Sequence, residues 1–198
     1  MKDEERDLNQ RIANRVRELR ARRGFSLATL AAQSGVSRSM LSLIERGESS
    51  PTAVVLEKVA RGLGVVLASL FDDSASAKGA GEPVTRRARQ PEWRDPASGY
   101  VRRNLSPAGV PQPMQLVEVH FPPGARVAFE SGARDTRVFQ QIWVLAGAMD
   151  ITVGEARHQL REGDCLAMQL DGPTMFHNPG QKPARYLVVM VSETFSRR

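Results

Sequence analysis

SLATLAAQSGVSRSMLSLIERG, residues 26–47, spells a helix, a tight turn and a second helix. Ser26 caps the first helix, whose inward positions are Leu27, Leu30 and Ala31. Gly35 falls where a short turn needs backbone free to adopt positive φ. Ser37 caps the second helix, and Met40, Leu41 and Ile44 recur at the helical period that turns one face inward. Gly47 ends it, as a left-handed residue commonly ends a helix. The outward side is then Arg38, Ser39, Ser42 and Leu43. Short polar side chains and one arginine on a rigid rod suit the reading of base edges in a major groove.

A longer helix precedes this block. Leu8, Ile12, Val16 and Leu19 form its buried stripe, which leaves Arg11, Arg15 and Arg22 to face solvent or DNA phosphate. The order IANRVRELRARRGFSLATLA, GVSRSMLSLIERG, SPTAVVLEKVARGLGV and ASLF resembles the lambda-repressor-like (Xre-type) helix-turn-helix family over residues 8–72. The resemblance implies a five-helix DNA-binding domain, residues 1–72. Within it, Arg38, Ser39 and Ser42 would face bases, and Ser49 and Ser50 would face phosphates. Glu45 would pair internally with Arg20, since a carboxylate aimed at phosphate is repelled. Leu27 stands where the family often has glutamine or serine.

Composition agrees with a two-part protein. The 198 residues are 41% hydrophobic, enough for real cores, and carry a net charge of +6. Residues 1–71 hold 12 Lys/Arg against 8 Asp/Glu, so the excess is concentrated beside the presumptive reading helix. No apolar run approaches the ~20 residues that a membrane span requires. The charged start MKDEERDLNQ does not read as a secretion signal, and a single cysteine, Cys165, fits a reducing cytoplasm. Its apolar neighbours point to a buried, inert thiol. Residues 73–92 read as a linker in which small residues, Gly and Pro dominate; its RRAR cluster at 86–89 keeps it hydrated or touches DNA.

Residues 93–198 have strand grammar: MQLVEVHF, RVFQQIWVLAG, MDITV, ARHQL, CLAMQL and ARYLVVMV, separated by turn signals such as PPGA, REGD and DGP. Many short strands of this kind close into a sandwich or small barrel. The pattern PPGA…QQIWVLAGAMDITVGE…LREGDCLAM…PTMFHNPG resembles a cupin, a jelly-roll barrel, over residues 100–195. The resemblance sets metal ligands of the family, two histidines with a glutamate and then a third histidine, at GARDTR, Gln140 and Thr174. A neutral amide and a hydroxyl make a poor divalent site. His120, His158 and His177 lie elsewhere and do not rebuild one, so neither metal nor other cofactor is expected.

A metal-free barrel still holds a cavity. By alternation, Gln140 shares its face with Val138, Ile142 and Val144, while Thr174 and Phe176 share another and His177 points away. Effector-binding candidates are therefore Gln140, Thr174, Phe176, Met168 and Tyr186, with Arg134 and Arg137 near the mouth. The other face of the Gln140 strand, with Phe139, Gln141, Trp143 and Leu145, is apolar enough for a subunit interface. Together these features describe a cytoplasmic homodimer that reads a palindromic operator in double-stranded DNA and answers to a small-molecule effector. A metal-dependent cupin isomerase or oxygenase, and an adaptor whose helix pair binds protein, are the competing classes.

Overall fold

The computed structural model describes residues 2–71, 82–110, 113–130 and 136–194. Four α-helices open the chain: α1 (Lys2–Arg22), α2 (Leu27–Ser34), α3 (Arg38–Arg46) and α4 (Ala53–Gly62). A fifth α-helix was expected at ASLF; among the described residues Leu67–Phe71 instead forms a five-residue 3-10 turn. So short a segment cannot complete several α-type hydrogen bonds, and its anchoring comes from burial of Leu67, Leu70 and Phe71.

The capping expectations hold in atomic detail. Ser26 Oγ accepts from the Thr29 amide at 3.0 Å and Ser37 Oγ from the Met40 amide at 3.2 Å. Gly35 and Gly47 adopt φ of 69° and 71°, closing α2 and α3. Leu8, Ile12, Val16 and Leu19 are buried along α1, as are Leu30, Leu41 and Ile44 on the next two helices. Met40 departs from the expected inward set and is 36% exposed. It shares the first turn of α3 with Arg38 and Ser39, all three of them exposed. Gly62 lets α4 cross α2 closely, because a Cβ there would come within 2.8 Å of Ser34 Cβ.

Ten strands follow, in two sheets. The larger runs β1 (Glu92–Arg94), β2 (Val101–Asn104), β3 (Met114–Phe121), β10 (Ala184–Thr194), β5 (Thr136–Ala146) and β8 (Cys165–Gln169) in that spatial order. The smaller runs β4 (Arg126–Phe129), β9 (Thr174–His177), β6 (Ala148–Val153) and β7 (Ala156–Arg161). All pairings are antiparallel. The six anticipated strand segments all appear, the strand face expected for Thr174 and Phe176 is that of β9, and β1, β2 and β4 are added to them. Gly147 turns β5 into β6 at φ 81°, in a place where a Cβ would press within 3.2 Å of the Pro183 carbonyl oxygen.

Two further expectations change. Cys165 is exposed, since it lies on the outer face of the edge strand β8 opposite Trp143. The stretch expected as linker is ordered at its end: Arg87–Arg89 form a 3-10 turn and β1 begins at Glu92. The RRAR side chains are exposed in that turn except as joined to Glu82 through Arg89. Residues 72–81 and Arg134 lie outside the described residues. No helix is long and apolar enough to cross a membrane among the described residues.

The two parts are packed together. Asp95, 2% exposed, accepts from the Ala53 amide at 2.8 Å and so caps the first turn of α4 from the strand-rich half. Lys58 pairs with Glu130 at 3.4 Å. Rings continue the contact in sequence: Phe71 to Trp93 at 5.5 Å, Trp93 to Tyr100 at 5.9 Å, then Tyr100 stacked on Phe121 at 5.4 Å. Phe121 in turn adjoins Tyr186, which stacks on Phe176 inside the barrel.

Candidate nucleic-acid interface and barrel cavity

α3 is held as a rigid rod from behind. Arg20 grips Glu45 in a two-pronged ion pair, Nε to Oε1 at 2.6 Å and Nη2 to Oε2 at 2.8 Å, and its Nη1 donates to the Phe25 carbonyl at 2.8 Å. The Glu45 hydrogen bonds raise the arginine's pKa above its ordinary value. Arg17 donates to the Glu45 carbonyl. Glu45 is 5% exposed and satisfied internally, so it is part of the scaffold, as its resemblance to the family implied.

The front of α3 carries Arg38 and Ser39, both exposed, with Ser42 and Leu43 half-buried. Ser39 Oγ lies 3.1 Å from Ser37 Oγ, and Ser42 Oγ accepts from Arg46 Nη1 at 2.5 Å. Arg46 was missed in the sequence, although its spacing from Ser39 and Ser42 puts it on their stripe. Ser50 is exposed and accepts from Asn9 Nδ2 at 3.1 Å. Ser49 is half-buried, its Oγ covered and without a hydrogen-bond partner. Arg22 is exposed and bound to Glu18. Arg15 does not join this surface: its Nε donates to the Ser69 carbonyl at 3.0 Å and its Nη1 to Glu18 at 2.9 Å. With 14% of its side chain exposed, it ties α1 to the 3-10 turn and is not free to reach phosphate.

Between the sheets lies a cavity of about 90 Å³. A single water needs only roughly 10–15 Å³, so the space suits a small molecule. Gln140, Thr174, Phe176 and Tyr186 all line it. Met168 pairs across from Gln140 on β8 and packs against the core, but lies outside the cavity wall. The wall also includes residues the sequence did not nominate: Tyr100 and Arg102 from β2 and the segment before it, and Glu57, Val66 and Leu67 from the helical half. Glu57 had a signal, because it lies on the buried stripe of α4 with Ala53 and Ala60. Burial pushes the Tyr100 phenol up to about 12 and Tyr186 well above its ordinary value, so both hydroxyls stay protonated at neutral pH.

No group of three or more His, Cys, Asp or Glu side chains able to hold a metal occurs among the described residues. His120 lies 3.8 Å from Glu118 and His177 3.6 Å from Asp150, on different sheets. Gln140 and Thr174, which the resemblance set at the ligand positions of metal-binding cupins, both line the cavity, with an amide and a hydroxyl as their polar groups. That donor set does not fit a divalent ion.

A capped helix pair with a rigid outward rod, joined to a jelly-roll barrel that encloses a cavity, defines a DNA-binding class of protein with an added barrel domain. A helix-turn-helix family model matches residues 16–69 and a cupin domain model matches residues 117–190. The chain belongs to the Xre-type helix-turn-helix family and carries a C-terminal cupin domain. It is 28% identical over 176 residues to the HTH-type transcriptional regulator SutR of Escherichia coli (strain K12), covering 88% of this chain and 91% of that one. The Control protein C.MunI of Mycoplasma sp is 37% identical over 68 residues, 34% of this chain and 92% of its own length. A solved HTH_3 family transcriptional regulator from Vibrio cholerae superposes with a TM-score of 0.73 at 26% identity, covering 94% of this chain and 98% of that chain.

Proposed function

We propose that this protein is a homodimeric transcriptional regulator, acting in the cytoplasm, that reads a palindromic operator in double-stranded DNA. The reading half would be residues 1–72, the linker 73–92 and the effector-binding half 93–198. The observation that carries the proposal is the exposed stripe of α3, Arg38 and Ser39 with Arg46, on a helix clamped at both ends and braced by Arg20. Ser42 and Leu43 flank that stripe, with Ser49, Ser50 and Arg22 as candidate phosphate contacts. Similarity to named transcriptional regulators supports the same reading. The barrel would hold the effector against Gln140, Thr174, Phe176 and Tyr186. It would bind without catalysing, because a metal-dependent isomerase or oxygenase needs stronger donors than Gln140 and Thr174 supply.

Genome-wide immunoprecipitation followed by titration onto the recovered sequence tests this. A short palindrome bound tightly is expected. No enriched sequence, with only weak salt-sensitive binding, would defeat the proposal. On that palindrome, Arg38→Ala should cost about 1–3 kcal/mol and relax preference at one base pair. A uniform loss on every sequence would make Arg38 a phosphate contact instead.

Two copies are required because one recognition helix reads few base pairs, and half-sites lie about one helical turn apart. The outer face of the larger sheet supplies a surface for the second copy. Trp143 and Phe139 are 48% and 39% exposed there, paired across β10 with Leu187 and Val191. Large apolar groups left this open are characteristic of an interface. Trp143→Glu should convert a two-chain mass in light scattering to a one-chain mass. A one-chain mass for the unaltered protein at DNA-binding concentrations would sink the dimer.

A further inference from the structure

The cavity straddles the two halves of the molecule: Glu57, Val66 and Leu67 reach it from the helical half, and the rest of the wall comes from the barrel. Arg102, on β2, is part of that wall. It is 6% exposed, and its guanidinium carbon lies 4.7 Å from the centre of the Phe71 ring. Its Nε is buried and has no hydrogen-bond partner. Such an orphaned donor is rare in a folded protein and marks a place for an acceptor. Glu57, the other charged residue of the wall, is already engaged within the protein and asks nothing of a ligand. Tyr100 and Tyr186 add no charge, since burial keeps both phenols protonated. One arginine and one glutamate leave the wall with no net charge, and the remainder is mostly apolar, with Val117, Phe121, Phe176 and Met190 prominent.

Four kinds of ligand suit this wall poorly. A carboxylate would satisfy the Arg102 Nε but bury a charge that the balanced wall leaves uncompensated. An ammonium ion would bring a charge and no acceptor. A hydrocarbon would leave Nε unpaired, at the cost of a buried donor. An alcohol brings a donor of its own that needs a further partner. A carbonyl oxygen supplies the acceptor and nothing else. We propose, on the reading of this cavity as the effector site, that it takes a small neutral carbonyl compound, a ketone or ester. The carbonyl oxygen accepts from Arg102 Nε, and the alkyl groups lie among the aliphatic and aromatic residues. At about 90 Å³ the space is smaller than the roughly 150 Å³ that takes benzene, so the ligand has about four to six non-hydrogen atoms. Because the wall spans both halves and Arg102 packs on Phe71, occupancy bears on how the reading head sits against the barrel. An effector shifts DNA affinity only through such a differential contact.

Four compounds matched in size test the proposal: 2-butanone, 2-methyl-1-butene, propionate and sec-butylamine. The alkene has the ketone's shape with a methylene in place of the oxygen, and the other two carry a negative and a positive charge. Each is titrated into the full chain and followed by the methyl NMR signals of Val117 and Met190, which line the cavity. The ketone should bind roughly fivefold or more tightly than the alkene, and more tightly than either ion. Arg102→Met should bring the ketone down to the alkene's level and leave the alkene undiminished. Thermal melts check that the variant folds; if it does not, the comparison of ketone with alkene on the unaltered protein decides. A ketone no tighter than the alkene, or propionate tighter than the ketone, would overturn the carbonyl class while leaving the effector cavity standing. A ketone that binds as expected without moving operator affinity would uphold the ligand class and overturn the effector reading. Failure of all four compounds to bind would overturn both.

Discussion

Arg20→Met is expected to cost the helical half about 3–5 kcal/mol, the range seen when one partner of a buried ion pair is removed. The carboxylate left behind, Glu45, is 5% exposed and would lose both of its short hydrogen bonds to the guanidinium. The Phe25 carbonyl would lose its donor as well, so the turn into α2 is loosened by the same change. Removing both charges together, Arg20→Met with Glu45→Met, should be much milder, because no isolated charge then remains in the interior. Urea unfolding followed by helical circular dichroism measures all three proteins. A loss below about 1 kcal/mol for Arg20→Met would show that water reaches Glu45 and that α3 is braced by packing alone.

Asn178→Asp should be comparably severe for the barrel, at about 3–5 kcal/mol. Asn178 is fully buried, and its amide nitrogen donates to the Phe121 carbonyl at 3.1 Å and the Lys182 carbonyl at 2.9 Å. Its Oδ1 accepts from the Gly180 amide at 2.9 Å. An aspartate matches the size but brings a carboxylate oxygen against two carbonyl oxygens, exchanging two attractions for two repulsions. The affected residues close the turn between β9 and β10, which carry Phe176 and Tyr186 to the cavity. Loss of the near-ultraviolet aromatic signal at a temperature where α-helix persists would locate the damage in the barrel. A variant that melts with the unaltered protein would show that this turn is not what holds the two strands.

Both predictions rest on residues whose importance was partly legible in the chain. Glu45 and Arg20 were paired from family resemblance, and Asn178 was singled out as part of a turn motif. Helix caps at Ser26 and Ser37 were legible because a cap is a local event, settled within four residues. Alternation correctly put Gln140, Thr174 and Phe176 on the inside, since strand parity alone decides a side. Parity does not say what covers the other side, and Cys165 consequently turned out exposed. Arg15 was misplaced for a related reason: its acceptor is a backbone carbonyl 54 residues away, invisible to any helical periodicity. Tyr100 and Arg102 escaped notice because β2 is only four residues long, too brief for a pattern to stand out. The part played by Glu57 in a cavity of the other half depends on how the two halves pack, which no local rule reaches.

The cap that Asp95 places on α4 has a consequence for how interchangeable the parts of this molecule are. A helix whose first turn is completed by a residue 42 positions further along is not self-sufficient. Phe71 is in the same position, since it meets both Trp93 and the guanidinium of Arg102 across the boundary. A chimera that exchanged the reading head for a foreign one at the linker would leave Asp95 without its amide and Arg102 without its aromatic ring. The natural cut for such a graft therefore does not follow the linker; it has to keep the end of the helical half with the barrel, or carry matching partners for both.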